Sequence, residues 1–160
     1  MTSAPTLHTD RLILRPLGLE DWEEYAAAWA DPEMTRFIGG TPRDRTTSWA
    51  KFTASAGLWP VCGFGYWSFA CRKTGRWLGT GGLARFERGL PELDGVPEAG
   101  WAFRPDAWGK GYATEAMRAA LDWARDTLRA PEVRCIIDPG NIASQSVAAK
   151  LGFTQFGETL

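Results

Sequence analysis

The sequence has few of the residues that build metal centres and disulfide frameworks. His8 is the only histidine, and the three cysteines, Cys62, Cys71 and Cys135, are odd in number and lack C-x-x-C spacing. Neither a zinc cluster nor a disulfide framework is therefore indicated. We predict no metal, and a reducing cytoplasm is the expected compartment.

An excess of positive charge and long apolar runs are also missing. The formal net charge is -1, so no basic field marks the chain as a nucleic-acid binder. No apolar run approaches the roughly 20 residues that span a bilayer. The first ten residues lack the basic-then-apolar pattern of a signal peptide. We therefore expect neither nucleic acid nor membrane as a partner.

The composition that remains is typical of one folded domain. The 160 residues are 44% hydrophobic and 23% charged, which fits a single core. We predict one domain over residues 1–160. The nine tryptophans are unusual, and we expect several of them to line a cavity or an interface.

Apolar periodicity and turn residues predict the order β, α, α, β, β, β, α, β, α. The predicted strands are 12–17, 65–72, 76–86, 98–103 and 133–137, the last of them buried, and Gly75 turns the hairpin. The predicted helices are 19–30, 44–56, 112–128 and 142–151, and Gly152 caps the last of them. This α/β pattern implies a mixed sheet with helices on both faces.

A glycine turn joins a predicted strand to the longest predicted helix, in the segment 108–116 (WGKGYATEA). Unpaired backbone N–H groups at the positive end of a helix dipole bind anions. Gly109 and Gly111 permit the backbone angles of such a turn, and Lys110 adds charge. The alternative is an ordinary strand-to-helix connection.

Two known phosphate motifs are excluded by their spacing. A Walker loop places Ser or Thr after Gly-Lys, whereas Gly111 follows Lys110 here. The glycines of 79–82 (GTGG) lie inside a predicted strand that no helix follows, unlike a dinucleotide fingerprint. A nucleotide-binding switch is therefore disfavoured.

Three segments in order resemble the GCN5-related N-acetyltransferase (GNAT) superfamily, and within it the RimJ/RimL-like branch that acetylates ribosomal-protein alanines. Segment 9–16 (TDRLILRP) looks like the opening strand, and 108–116 looks like the pyrophosphate-binding turn. Segment 141–144 (NIAS), followed by 150–153 (KLGF), looks like the later cofactor motif. Together the three segments span nearly the whole chain.

The resemblance implies a GNAT fold that binds acetyl-CoA. Its central, mostly antiparallel sheet would splay between the fourth and fifth strands, here 98–103 and 133–137. Backbone groups of Ala102 and Phe103 would bind the pantetheine arm, and Asn141 would reach that arm or act as a helix N-cap. The N–H groups expected to hold the pyrophosphate belong to Trp108, Gly109, Lys110, Gly111, Tyr112 and Ala113.

Two positions depart from the family pattern. Asp106 stands where the family has Gln or Arg, and a carboxylate pointing at a pyrophosphate would be repulsive. We therefore expect Asp106 to face solvent or to order the turn. Ala148 stands where many relatives carry a tyrosine that acts as the general acid.

The resemblance implies candidate groups for acetyl transfer. The amine must lose a proton, and Glu98 is the leading base, with an exposed strand-edge carboxylate as the alternative. A backbone N–H near Ala102 would stabilise the oxyanion. Ser144 would protonate the leaving thiolate; the alternative is a serine that bonds its own helix backbone.

The acceptor is expected to be a primary amine, either a protein N-terminus or a small molecule. Aromatic residues could form its wall or belong to the core instead: Trp29, Phe37, Trp59, Phe64 and Trp67. The alternative function is a noncatalytic CoA-binding or regulatory module. Relatives continue beyond Gly152 and Phe153 into further strands, so the expectation is a truncated chain, an edge completed by a partner chain such as a homodimer, or an open acceptor pocket.

Overall fold

A five-stranded antiparallel sheet organises the molecule. The computed structural model describes residues 3–159. The strands lie in sequence order, β1 to β5, each antiparallel to the next. Their bounds are β1 Leu7–His8, β2 Leu12–Arg15, β3 Tyr66–Cys71, β4 Trp77–Ala84 and β5 Glu98–Phe103.

Five α-helices accompany the sheet within the described residues. They are α1 Trp22–Trp29, α2 Pro32–Thr35, α3 Arg45–Cys62, α4 Tyr112–Trp123 and α5 Ile142–Lys150. A π-helical turn, Ala124–Leu128, extends α4. No helix among residues 3–159 is both long and apolar enough to cross a bilayer.

Helices cover both faces of the sheet, as the predicted α/β architecture requires. The larger core packs α4 and the end of α3 against strand residues such as Leu14, Trp67 and Leu83. The smaller core joins α1, α2 and the first half of α3 around Tyr25 and Trp77. Side chains alternate between the two faces along each strand, so one sheet separates the two cores.

The region between α1 and α3 contains a helix that the sequence did not predict. Asp31-Pro32 was interpreted as the end of the first helix, and it also begins α2. The Asp31 side chain accepts a hydrogen bond from the Glu33 N–H at 2.9 Å, and Pro32 occupies the first helical position. Proline at that position loses no helical hydrogen bond, so the same dipeptide both ends and starts a helix.

The predicted buried strand at 133–137 is wrong. The segment is half-buried to exposed and forms one isolated parallel bridge, between Glu98 and Arg134. The Ala99 N–H donates to the Arg134 carbonyl at 2.7 Å, and the Arg134 N–H donates to the Pro97 carbonyl at 3.1 Å. β-Branched residues favour a strand only where a partner runs alongside. Here β5 and the segment 133–137 diverge after one residue pair, which leaves the outer edge of β5 open.

Candidate functional site

A cleft of about 460 Å³ opens at the diverging edge of β5. Its walls come from β5, the glycine turn, the start of α5 and the segment that follows α2. It brings together most of the residues singled out from the sequence: Ala102, Phe103, Trp108, Gly109, Gly111, Tyr112, Ala113, Asn141, Ser144 and Phe37. Residues that are 70 or more positions apart along the chain therefore share one site.

The glycine turn presents a run of free backbone donors. Gly109 and Gly111 adopt left-handed angles, with φ of 74° and 79°, where a side chain would be strained. Gly111 is the N-cap of α4, and no side chain caps this helix. Within the part of the chain that is described, the N–H groups of residues 109–114 have no backbone or side-chain acceptor. The Trp108 N–H, which was also expected to hold the pyrophosphate, instead donates to the Pro105 carbonyl at 3.1 Å. Six consecutive donors remain at the helix N-terminus and form an anion cradle.

Lys110 and Asp106 shape this turn from outside the cleft. The Lys110 ammonium donates to the Asp106 carbonyl at 3.0 Å. The exposed Asp106 carboxylate pairs with Arg104 at 2.8 Å and with Arg76 at 3.4 Å. The Asp106 carboxylate is therefore exposed and paired with two arginines. We had expected it to face solvent or to order the turn.

A clamp between the opening segment and α4 was missed from the sequence. The Glu115 carboxylate accepts bonds from the Thr9 hydroxyl at 2.5 Å, the Arg11 N–H at 2.9 Å and Arg11 Nε at 2.7 Å. Arg11 Nη1 also donates to the Lys110 carbonyl at 2.8 Å, and the guanidinium lies 4.4 Å from the Tyr112 ring centre. Arg11 and Glu115 each belong to a segment that resembles the family, but nothing in the sequence indicated that the two segments are in contact.

The backbone groups of β5 that are free at its open edge are the N–H and carbonyl of Trp101 and the N–H of Phe103. The Arg104 N–H donates to Leu78 on the β4 side, and the Ala99 N–H donates to Arg134 on the opposite side. Successive residues point their backbone groups to opposite sides of the strand. The N–H and carbonyl of Ala102 therefore point to β4, and those of Trp101 point to the open edge and the cleft. The expected backbone role of Ala102 therefore passes to Trp101. The Phe103 carbonyl is already bound by the Trp108 indole at 2.7 Å.

Asn141 and Ser144 meet at the first turn of α5. The Asn141 side chain accepts a hydrogen bond from the Ser144 N–H at 3.1 Å, so Asn141 is the N-cap of this helix. Its amide nitrogen makes no hydrogen bond to any described residue and remains a donor at the cleft. Ser144 is half-buried and lines the cleft, whereas Ala148 is buried and offers no hydroxyl.

Glu98 lies at the head of β5 and outside the cleft lining. The residue is only 6% exposed, and both its carboxylate oxygens accept from Arg88 Nε, at 3.0 and 2.8 Å. It is therefore neither an exposed strand-edge carboxylate nor a free base. Beside it, the Tyr66 hydroxyl occupies the space where a Cβ of Gly100 would stand. Burial, followed by the Glu98 charge, raises the pKa of Tyr66 well above its usual value.

The aromatic residues proposed for an acceptor wall divide between cleft and core. Phe37 lines the cleft. Trp29, Trp59 and Trp67 lie in the two cores and are at most 4% exposed, while Phe64 packs against the larger core. Residues 3–159 contain no group of three or more side chains arranged to hold a metal ion.

Comparison with known proteins identifies one domain model across this fold. The model described as "Acetyltransferase (GNAT) domain" matches residues 11–154. The match includes the glycine turn, β5 and the first turn of α5. It also includes the Arg11 and Glu115 clamp.

Relatives and solved structures agree with the domain match. The chain is 27% identical to the Bacillus licheniformis protein named "Uncharacterized N-acetyltransferase p20", over 95% of this chain and 84% of that one. It superposes on an acetyltransferase of Agrobacterium tumefaciens with a TM-score of 0.85 and 34% identity, covering 95% and 85% of the two chains. A Vibrio cholerae protein described as a "putative ribosomal-protein-serine acetyltransferase", 18% identical, shares the fold with a TM-score of 0.75 over 95% of this chain and 84% of that one.

Proposed function

This chain belongs to the GNAT acetyltransferase family, and on that premise we propose that it transfers an acetyl group from acetyl-CoA to a primary amine by direct attack in a ternary complex. The run of six unpaired N–H groups beside the open edge of β5 carries the proposal. A noncatalytic CoA-binding module is the weaker alternative, because two of the relatives are named as N-acetyltransferases.

The cleft fits the chemistry of coenzyme A. The N–H groups of residues 109–114 would hold the pyrophosphate, which requires donors and positive potential rather than a metal. The pantetheine amides would pair with the Trp101 carbonyl and the Phe103 N–H, in the manner of an added strand, which leaves the Trp101 N–H for the acetyl group. The Asn141 amide would reach the same arm. Arg11 and Glu115 act through the turn, because they fix the backbone that presents these donors.

Bound acetyl-CoA would supply the acetyl thioester, and the chain's own groups would handle the proton and the developing charge. The Trp101 N–H points into the cleft and would stabilise an oxyanion. Ser144 would donate a proton to the leaving sulfur. Glu98 would accept the proton of the amine, either after Arg88 shifts or through water, because both of its oxygens are bound in this conformation.

The acceptor is proposed as a protein N-terminal α-amine or a small-molecule amine. The V. cholerae neighbour is described as acting on a ribosomal protein serine, which places protein N-termini among the amines to test. We propose the RimJ/RimL-like branch on the same ground. Phe37 would form the aromatic part of the acceptor wall, as it lines the cleft.

Replacing Gly111 with valine tests donor binding. Valine is strained at φ 79°, so the turn should distort and its donors should move off the phosphates. We expect the KM for acetyl-CoA to rise about tenfold or more in a thiol-release assay, and CoA affinity to fall equally in calorimetry. Gly75→Val is the matched control, since Gly75 has φ 76° in the exposed β3–β4 turn.

The control separates a distorted site from a strained fold. Both variants should lose similar stability, measured by thermal unfolding, while only Gly111→Val should lose CoA affinity. Normal CoA affinity in a folded Gly111→Val protein would contradict the proposed cradle. A panel of primary amines, including peptides beginning with Ala or Ser, completes the test of function in the wild-type protein.

A further inference from the structure

Partly buried arginines in this molecule are paired with carboxylates, with one exception. Arg15 pairs with Asp21 at 2.6 Å, Arg104 with Asp106 at 2.8 Å, and Arg134 with Glu132 at 2.6 Å. Arg43 is also partly buried. Among residues 3–159 no carboxylate lies within 4.0 Å of its guanidinium, and the hydrogen-bond partner beside it is the neutral Tyr25 hydroxyl. A buried charge without a partner is costly, so this cation needs an explanation.

Aromatic residues, rather than anions, hold Arg43 in place. Its guanidinium lies 3.7 Å from the Trp29 ring centre, and its backbone N–H donates to the Trp29 carbonyl at 2.9 Å. The phenols of Tyr25 and Tyr66 stand nearby. Burial lowers the pKa of Arg43, an effect that Tyr25 partly offsets. Burial also raises the pKa of both phenols, which stay neutral at pH 7. The positive charge is therefore oriented but not neutralised.

Arg43 packs on the smaller core, and part of that core also forms a wall of the cleft. Met34 and Ile38 line the cleft and also pack in the smaller core with Trp29. On β5, Glu98, Gly100 and Ala102 share one face because side chains alternate. Ala102 lines the cleft, and the Tyr66 hydroxyl covers Gly100. Arg43 and the Glu98–Arg88 pair both lie close enough to Tyr66 to affect its pKa, and the Tyr66 hydroxyl lies on the sheet face that carries Ala102.

We propose that Arg43 binds a carboxylate of the acetyl acceptor, so that the substrate is an amine that also carries a carboxylate. The inference rests on the proposed function and narrows its substrate class. A guanidinium binds a carboxylate through two parallel N–H donors. Its stacking on Trp29 fixes the plane of those donors before the substrate arrives. The Tyr25 and Tyr66 hydroxyls can add neutral hydrogen bonds to the same carboxylate.

Matched pairs of substrates test the inference in the wild-type protein. The probes are L-amino acids and their amides, assayed for thiol release from acetyl-CoA. The two members of each pair share one amine and differ in the negative charge of the carboxylate, to which Arg43 would bind. We expect kcat/KM to favour the acid over the amide by about tenfold or more, as a charge-assisted hydrogen bond predicts. Equal turnover within the pairs, or turnover only of amines without a carboxylate, would overturn the inference and leave acetyl transfer intact.

Arg43→Gln supplies the second arm, with Arg45→Gln as its matched control. Arg45 is exposed and lies 5.1 Å from the Trp22 ring centre, so its loss removes a similar charge two residues away. Arg43→Gln should raise the KM for the acids about tenfold or more and change the amides less than about threefold, while Arg45→Gln changes neither. An equal loss for acids and amides in Arg43→Gln would overturn the inference.

A binding measurement keeps the inference testable without turnover. N-acetylated amino acids are the product-side probes, titrated by calorimetry into the CoA-saturated protein. The wild type should bind the acids about tenfold or more tightly than their amides, and Arg43→Gln should lose that difference. If no amine of any class gave thiol release from acetyl-CoA, the proposed function would be contradicted. If the titration showed no preference for the carboxylate, the Arg43 site would be contradicted.

Discussion

Two serines of α5, Ser144 and Ser146, line the cleft, and Ser144 is the half-buried one of the two. Its N–H is used by Asn141, whereas its hydroxyl makes no hydrogen bond to any described residue. The hydroxyl is therefore free to donate. A thiolate with a pKa near 8.5 is a good leaving group, so the proton donor matters less here than in reactions with poorer leaving groups.

We expect Ser144→Ala to lower kcat about tenfold or more, because general acids typically contribute at least that much. The KM for acetyl-CoA should change little, since the cradle of residues 109–114 is untouched. Steady-state thiol release measures both parameters. Ser144→Thr keeps a hydroxyl and should recover part of the rate. An unchanged kcat in Ser144→Ala would remove the serine from the mechanism.

The same scale shows what side-chain identity alone can predict. Asn141 was proposed as a cofactor contact or an N-cap, and the structure shows the cap directly. Glu98 was chosen as a base for its position at the head of a strand, but its Arg88 partner lies ten residues earlier on a loop. Trp29 and Trp67 were candidates for a wall and lie in the cores. Residue type gives the chemistry that is possible, whereas tertiary neighbours decide which groups are free.

At the scale of elements, α4 depends on a contact with a distant segment. Burial alone would raise the pKa of the Glu115 carboxyl, but hydrogen bonds from Thr9 and Arg11 outweigh it and hold the pKa below its usual value. A lowered folded-state pKa means that the clamp is fully stabilising above the unfolded-state pKa, near 4.3. Its contribution is lost as the pH falls through the folded-state value.

We therefore expect Glu115→Gln to lower the free energy of unfolding by roughly 1 kcal/mol at pH 7. The difference from the wild type should stay constant down to about pH 5 and shrink below about pH 4. Denaturant unfolding across pH measures it. The KM for acetyl-CoA should rise, because Arg11 no longer holds the Lys110 carbonyl firmly.

Asp122→Asn is the control for this prediction. Asp122 lies on the exposed side of α4, where its contact is with Arg125 at 3.0 Å. Exposed pairs of this kind contribute little, so neither stability nor the KM for acetyl-CoA should change much. A Glu115→Gln protein as stable as the wild type at pH 7 would show that the clamp is not what secures the turn.

Elements with a strong local pattern were predictable, and those that depend on a partner were not. β5 was predicted with its observed bounds, and α4 begins at the predicted residue. The start of α4 is local information, because Gly111 and the apolar stripe mark it. The segment 133–137 has the composition of a strand but only one backbone partner pair. α3 runs six residues beyond the predicted 56 because Trp59 is buried in the larger core and Gly63 caps the helix at φ 80°.

At the scale of the whole molecule, the cleft interrupts the sheet. β1 to β5 form a continuous antiparallel ladder, whereas 133–137 is joined to β5 by one bridge. The sheet therefore has a fully hydrogen-bonded part, β1 to β5, and an outer edge of β5 whose backbone groups lack partners among the described residues. Pantetheine lying along β5 would occupy that gap, and α4 and α5 would both contact the ligand. Donor binding should thus stabilise the molecule as a whole and the diverging segment in particular.

We expect saturating CoA to raise the unfolding temperature and to slow amide hydrogen exchange in residues 133–144. At a hundredfold excess over its Kd, a ligand that binds only the folded state adds about 2.7 kcal/mol. For a chain of this size that corresponds to a rise of roughly 5 to 10 °C. Gly111→Val should lose most of the rise and Gly75→Val should keep it. A rise without added protection in residues 133–144 would place the ligand elsewhere than along the open edge of β5, because only that edge adjoins the diverging segment.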